Sequence, residues 1–125
     1  MEFTAKSVKK ILSVSDGRLT GGSIVNLVTG AEYALAPSDE FTVCYRASAS
    51  RFSAKKIISS RSCRFKETEC GYTASADGFS AEAKFEEAGE ALRQTFAFRF
   101  DKDVFIEYIR FGCGERNSAF SWCAP

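Results

Sequence analysis

The chain alternates apolar and polar positions in short runs separated by small polar breaks. Phe41, Val43 and Tyr45 share one face of an extended segment, and Thr42, Cys44 and Arg46 share the other. Phe79, Ala81, Ala83 and Phe85 alternate with Ser80, Glu82, Lys84 and Glu86 in the same way. Leu92, Phe96, Phe98 and Phe100 form a third apolar row, interrupted by Gln94 and backed by Arg93, Thr95, Ala97 and Arg99. A period of two is that of a strand with one buried face. Residues 104–111 are apolar on both faces apart from Glu107 and Arg110, which predicts a strand running through the centre of a sheet.

Turn residues punctuate these runs: Asp16-Gly17, Thr29-Gly30, Asp77-Gly78, Ala88-Gly89 and Asp101-Lys102-Asp103. Gly and Asp tolerate the positive φ of tight hairpins. The pattern predicts strands at 9–15, 23–28, 40–46, 54–60, 63–68, 71–76, 79–86, 91–100 and 104–111. The segment 80–93 has helix-friendly composition, but Gly89 in its middle and the Phe79/Phe85 alternation favour a hairpin. Regularly spaced strands and short turns imply an all-β fold. The expected architecture is an antiparallel β-sandwich of about 8–9 strands, whole or as part of a larger supersandwich. With 125 residues and no linker or repeat, the chain reads as one domain over 1–125, with 112–125 as a loop or short terminal strand.

Composition narrows the chemistry. The formal net charge is +1, which gives no general attraction to nucleic acid or to an anionic membrane. The charges are nevertheless segregated. Arg46, Arg51, Lys55, Lys56, Arg61, Arg64 and Lys66 contain no acid among them, and 67–90 is rich in Glu. Pairing across neighbouring strands is the expected use of that asymmetry, with a ligand-binding basic strip at Arg46, Arg51, Lys55, Lys56 and Arg61 as the other. No apolar leader or membrane-length segment is seen, so a cytoplasmic location is expected. The five cysteines, Cys44, Cys63, Cys70, Cys113 and Cys123, include no CxxC. Reduced thiols are therefore expected, with a Cys63–Cys70 pair open if their strands adjoin.

There is no histidine, which excludes Ser-His and Cys-His nucleophilic systems and the commonest metal ligand. Neither Gly21-Gly22 nor Gly112-Cys113-Gly114 matches a phosphate-cradling loop. No metal or cofactor is expected. Glu82, Glu86 and Glu107 read as solvated strand faces rather than a glycosidase pair. The aromatics Trp122, Tyr33, Tyr45, Tyr72 and Tyr108 are either core or a platform for sugar rings. Trp122, outside the regular strands, and Tyr33 are the candidate carbohydrate contacts.

Residues 19–35, with Asn26 and the run Thr29-Gly30-Ala31-Glu32-Tyr33, resemble the early hairpin of galactose-mutarotase-like β-sandwich domains. Such domains precede many glycoside hydrolase barrels. Residues 79–111, ending in Ile106-Glu107-Tyr108-Ile109-Arg110-Phe111, resemble a later hairpin and strand of the same domains. The two stretches cover about 50 of the 125 residues. Gly112 stands where the family usually has proline, and no residue matches the catalytic histidine of the sugar epimerases. A catalytic barrel needs about 250 residues. The resemblance thus implies a non-catalytic accessory module of a carbohydrate-active enzyme, packing against a glycoside hydrolase partner or contacting glycan. The alternative is a stand-alone protein-interaction or inhibitor module using a strand edge or the basic 46–66 strip. An exposed edge would also permit a homodimer.

Overall fold

The computed structural model of the protein describes residues 1–50 and 52–111. These form the strands β1 (Glu2–Thr4), β2 (Val8–Ser15), β3 (Arg18–Asn26), β4 (Glu32–Leu35), β5 (Thr42–Arg46), β6 (Lys55–Ser59), β7 (Arg64–Glu67), β8 (Gly71–Ala76), β9 (Phe79–Ala88), β10 (Ala91–Phe100) and β11 (Phe105–Arg110). A 3₁₀ turn, Ser60–Ser62, separates β6 from β7. All strand pairs are antiparallel. The all-β, antiparallel expectation holds. Among the described residues the strand number rises to eleven because β1 and β4, at 3 and 4 residues, are too short to show a period.

The turns follow the residues that allow them. Asp16 and Gly17 have φ of 53° and 75° and connect Ser15 to its partner Arg18; two consecutive positive φ values suit a type I′ hairpin. Gly89 connects Ala88 to Ala91 with φ 65°. Residues 80–93 therefore lie in a hairpin, in which Phe96 faces Ala83, Phe98 faces Ala81 and Phe100 faces Phe79. Alternating large and small residues across this ladder lets the rings fill the space in front of the sheet.

The larger sheet runs β1-β2-β3-β7-β8-β9-β10, with β4 also paired to β3. It curls until its ends meet. The Ser7 backbone N–H and hydroxyl both donate to the Glu90 carbonyl, at 3.4 and 2.6 Å. The Phe3 and Phe85 rings stack at 3.9 Å. The smaller sheet, β11-β5-β6, packs its Val43 face onto the larger one. Just before β5, Phe41 is fully buried and meets Phe98 at 5.5 Å and Phe79 and Phe96 at 6.0 Å. Burying one such ring contributes about 1.5–3 kcal/mol. Residues 104–111 depart from expectation: β11 is an edge, and β5 is the central strand. Phe105 and Ile106 stay about half exposed, so apolarity on both faces here does not reflect burial on both.

A hydrogen-bonded quartet of polar side chains lies inside this core. Lys10 (β2), Glu40 (the β4–β5 connection), Tyr72 (β8) and Gln94 (β10) are each at most 4% exposed. The Lys10 ammonium lies 2.5 Å from Glu40 Oε2 and donates to Gln94 Oε1 at 2.8 Å. Glu40 Oε1 accepts from the Tyr72 hydroxyl at 2.7 Å and from Gln94 Nε2 at 3.0 Å. The Phe85 ring lies 5.6 Å from the ammonium, a cation–π distance. Glu40 is aimed by its neighbours: the Asp39 carboxylate accepts from Ala36 N–H, and the buried Ser60 hydroxyl donates to Pro37 C=O at 2.7 Å. Among the described residues no buried side-chain polar atom lacks a partner, which is the condition for a charge pair to persist in a core. The quartet ties β2 to β10, near the two ends of the curled sheet, and both to the segment that enters the small sheet.

Cys44, Cys63 and Cys70 are free thiols. Cys63 is fully buried, and its thiol is pushed up to about 11, chiefly by burial and partly offset by Arg18. Burial, with the Glu40 carboxylate beside it, likewise holds the Tyr72 hydroxyl well above its usual value. Both groups are neutral when folded, and unfolding lets them ionise at lower pH. For Cys63 the contribution is complete below about pH 9 and is lost as pH rises toward 11; Tyr72 adds to the loss in the same direction at higher pH. For Cys63 alone the loss amounts to ~2–3 kcal/mol. Urea unfolding at pH 8, 10 and 11 should show stability falling across that window; a flat profile would contradict the burial. At pH 8, peptide-level alkylation should label the exposed Cys70 in the native protein and Cys63 only after unfolding.

Candidate functional site

Alternation of direction in a run of antiparallel strands sends every second turn to the same end. The Asp77-Gly78 turn between β8 and β9 therefore meets the Asp101–Asp103 connection between β10 and β11. A backbone hydrogen bond from Asp101 N–H to Gly78 C=O, 3.1 Å, joins them. Gly78 has φ 70° and no side chain, and a Cβ there would fall 2.9 Å from Asp101 Oδ1. Glycine thus lets the carboxylate sit against the turn. The end of β5 and the start of β6 reach the same place, because Arg46 pairs with both Phe105 and Lys55.

These segments enclose an open cleft of about 430 Å³ lined by Tyr45, Lys56, Asp77, Phe100, Asp101, Lys102, Asp103 and their neighbours. Its aromatic part is the Tyr45–Phe100 pair, with ring centroids 4.8 Å apart and both rings half-buried. Its rim carries three carboxylates and two ammonium groups, all on exposed residues. No group of three or more His, Cys, Asp or Glu among the described residues is arranged to hold a metal ion. What the cleft offers is one aromatic pair with charged donors and acceptors around it, in an open and mostly polar depression.

The expected site residues are dispersed. Tyr33 lies on β4 opposite Ile24, half-buried, and does not line the cleft. Trp122 and Arg51 lie outside the described residues. Tyr72 belongs to the core, and Tyr108 is half-buried with the Arg110 guanidinium 4.7 Å from its ring. The basic strip divides. Arg46 binds Glu107 through Nε at 2.5 Å and donates to Ser53 C=O at 2.8 Å. Lys55 lies 4.0 Å from the same Glu107, Lys56 faces the cleft, and Arg61 sits on the 3₁₀ turn. Arg46 and Lys55 thus pair with Glu107 rather than with the acidic 67–90 segment, because β6 belongs to the smaller sheet and β8 and β9 to the larger. Glu82 and Glu86 pair with Lys84 and Arg93 on the surface.

Phe100, Asp77 and Asp101–Asp103 are visible in the sequence only as a strand end and two turns. Counting turns by parity along 71–111 would have placed both turns at one end. The chain matches no family model, no curated protein and no solved structure.

Proposed function

We propose that the domain is a non-catalytic accessory module of a carbohydrate-active enzyme and that its glycan contact is the Tyr45–Phe100 cleft. The ring pair carries this reading. A sugar presents an apolar C–H face that stacks on an aromatic ring, and hydroxyls around its rim that bond to carboxylates and ammonium groups. The cleft supplies both on one side, with Asp77, Asp101, Asp103, Lys56 and Lys102 around the rings. Part of the likeness to galactose-mutarotase-like domains, 79–111, contributes five of the lining residues, Phe100 to Val104.

A glycan-array screen of the folded chain tests this, run beside Tyr45→Ala, Lys102→Ala and Tyr33→Ala. Saturable binding to one sugar class is expected, weakened about tenfold by Tyr45→Ala, a change of about 1.4 kcal/mol. Lys102→Ala, on an exposed residue, should also weaken it while leaving the melting temperature unchanged. Tyr33→Ala should leave binding intact. A folded protein that retains no glycan, or one whose binding responds to Tyr33 and not to Tyr45 or Lys102, would end the proposal.

A further inference from the structure

A second surface, which shares Lys56 with the cleft, lies at the edge of the smaller sheet. Strand β6 pairs with β5 on one side and, among the described residues, is the terminal strand of its sheet on the other. Its outward side therefore leaves backbone donors and acceptors in position to pair with another strand. Three features qualify the edge. Lys55 and Lys56 are adjacent, so they project to opposite faces of the sheet, and both are exposed. Ile57, which follows the two lysines, is 63% exposed, an unusual position for a β-branched apolar side chain. Residues 54–64 carry Lys55, Lys56, Arg61 and Arg64 and no acid.

We propose that β6 docks an extended acidic segment of a partner protein by strand addition. Main-chain pairing supplies the register, and alternate side chains supply the choice of partner. Antiparallel to β6, the added strand would place carboxylates opposite Lys55 and Lys56 and an apolar residue opposite Ile57, the favourable cross-strand pairs. Charge selects this occupant over a second copy of the chain. A β6–β6 pairing would bring together two segments of one sign, which is how natural edges suppress self-association. Glu107 binds Arg46 of β5 and lies 4.0 Å from Lys55 of β6, so it offsets part of the charge of Lys55 and leaves Lys56 as the edge lysine without a carboxylate from Glu107.

The test uses the whole protein and a fluorescein-labelled short peptide of two valines followed by two glutamates between threonines. Its counterpart carries lysines in place of the glutamates. Anisotropy at low ionic strength should show saturable binding of the glutamate peptide at least tenfold tighter than the lysine peptide. The preference should reverse in Lys55→Glu/Lys56→Glu, an exposed change that leaves the fold intact. Backbone amides of β6 should gain hydrogen-exchange protection only with the bound peptide. Equal binding of both peptides, no binding, dimerisation through β6, or binding without protection of the β6 amides would each overturn the proposal. So would single-stranded oligonucleotide binding that leaves those amides exchanging freely, since the strip would then be a general polyanion surface.

Discussion

Glu40→Leu is expected to destabilise the domain by about 3–5 kcal/mol, the cost of leaving one member of a buried ion pair without its partner. That is a large share of the roughly 5–15 kcal/mol by which a domain is stable. The leucine would remove the carboxylate 2.5 Å from the Lys10 ammonium, which is buried beyond the reach of bulk water. It would also remove the acceptor shared by the Tyr72 hydroxyl and Gln94 Nε2. Glu40→Gln should cost less, because an amide oxygen still accepts those two bonds. Adding Lys10→Met to Glu40→Leu should recover part of the loss, since the uncompensated charge is gone, and the two single changes should be strongly non-additive. Urea unfolding of both single variants and the double variant measures this. Simple additivity would mean that the two side chains stabilise the fold independently.

Gly71→Ala is expected to cost about 3 kcal/mol or more, for a reason that has nothing to do with polarity. A Cβ at Gly71 would fall 1.8 Å from the backbone carbonyl oxygen of Ala83 on the neighbouring strand. Backbone cannot swing aside as a side chain can, so β8 and β9 would have to separate where Gly71 pairs with Lys84. Overpacking of this kind ordinarily costs about 1–3 kcal/mol, and here it also breaks ladder hydrogen bonds. Tyr72, the next residue, would move with the strand and disturb the buried quartet. Gly30→Ala is the comparison: nothing lies within 4 Å of its Cβ position, and only its φ of +79° resists the change, which should cost about 1 kcal/mol. Melting temperatures should rank wild type above Gly30→Ala and Gly30→Ala well above Gly71→Ala. Equal effects would contradict the close approach of β8 and β9.

Long alternating runs make most of this fold readable in advance. Eight of the nine expected segments correspond to β2 and β5–β11, while 23–28 overlaps only the second half of β3 (Arg18–Asn26), which runs through Gly21-Gly22; Gly89 within 80–93 rightly outweighed the helix-friendly composition around it. Strand position within a sheet was not readable in the same way. Apolarity on both faces of 104–111 suggested a central strand, yet Phe105 and Ile106 sit at an exposed edge. The buried quartet left a trace in the pattern. Gln94 interrupts a row of Leu92, Phe96, Phe98 and Phe100, and Lys10 occupies the apolar row between Val8 and Leu12. A polar residue in an apolar row marks a buried partner elsewhere, but only the folded chain shows that Glu40, remote in sequence from both, is that partner. The cleft depends on turns meeting across the end of the sheets, which residue type alone does not encode. Tyr33 and Tyr45 both belong to the aromatics that the sequence offers as core or sugar platform, and only the meeting of the strand ends pairs Tyr45 with Phe100.

The measurement that bears most directly on the cleft is a ¹H–¹⁵N chemical-shift titration of the folded protein with the sugar class retained on the array. The account requires the largest perturbations at Asp77, Gly78, Asp101, Lys102, Asp103 and Lys56, saturating with the affinity of array binding and abolished by Tyr45→Ala. Perturbations centred on β4 around Tyr33, or none at all in the Asp77 and Asp101 turns, would contradict it and move the binding surface elsewhere on the domain.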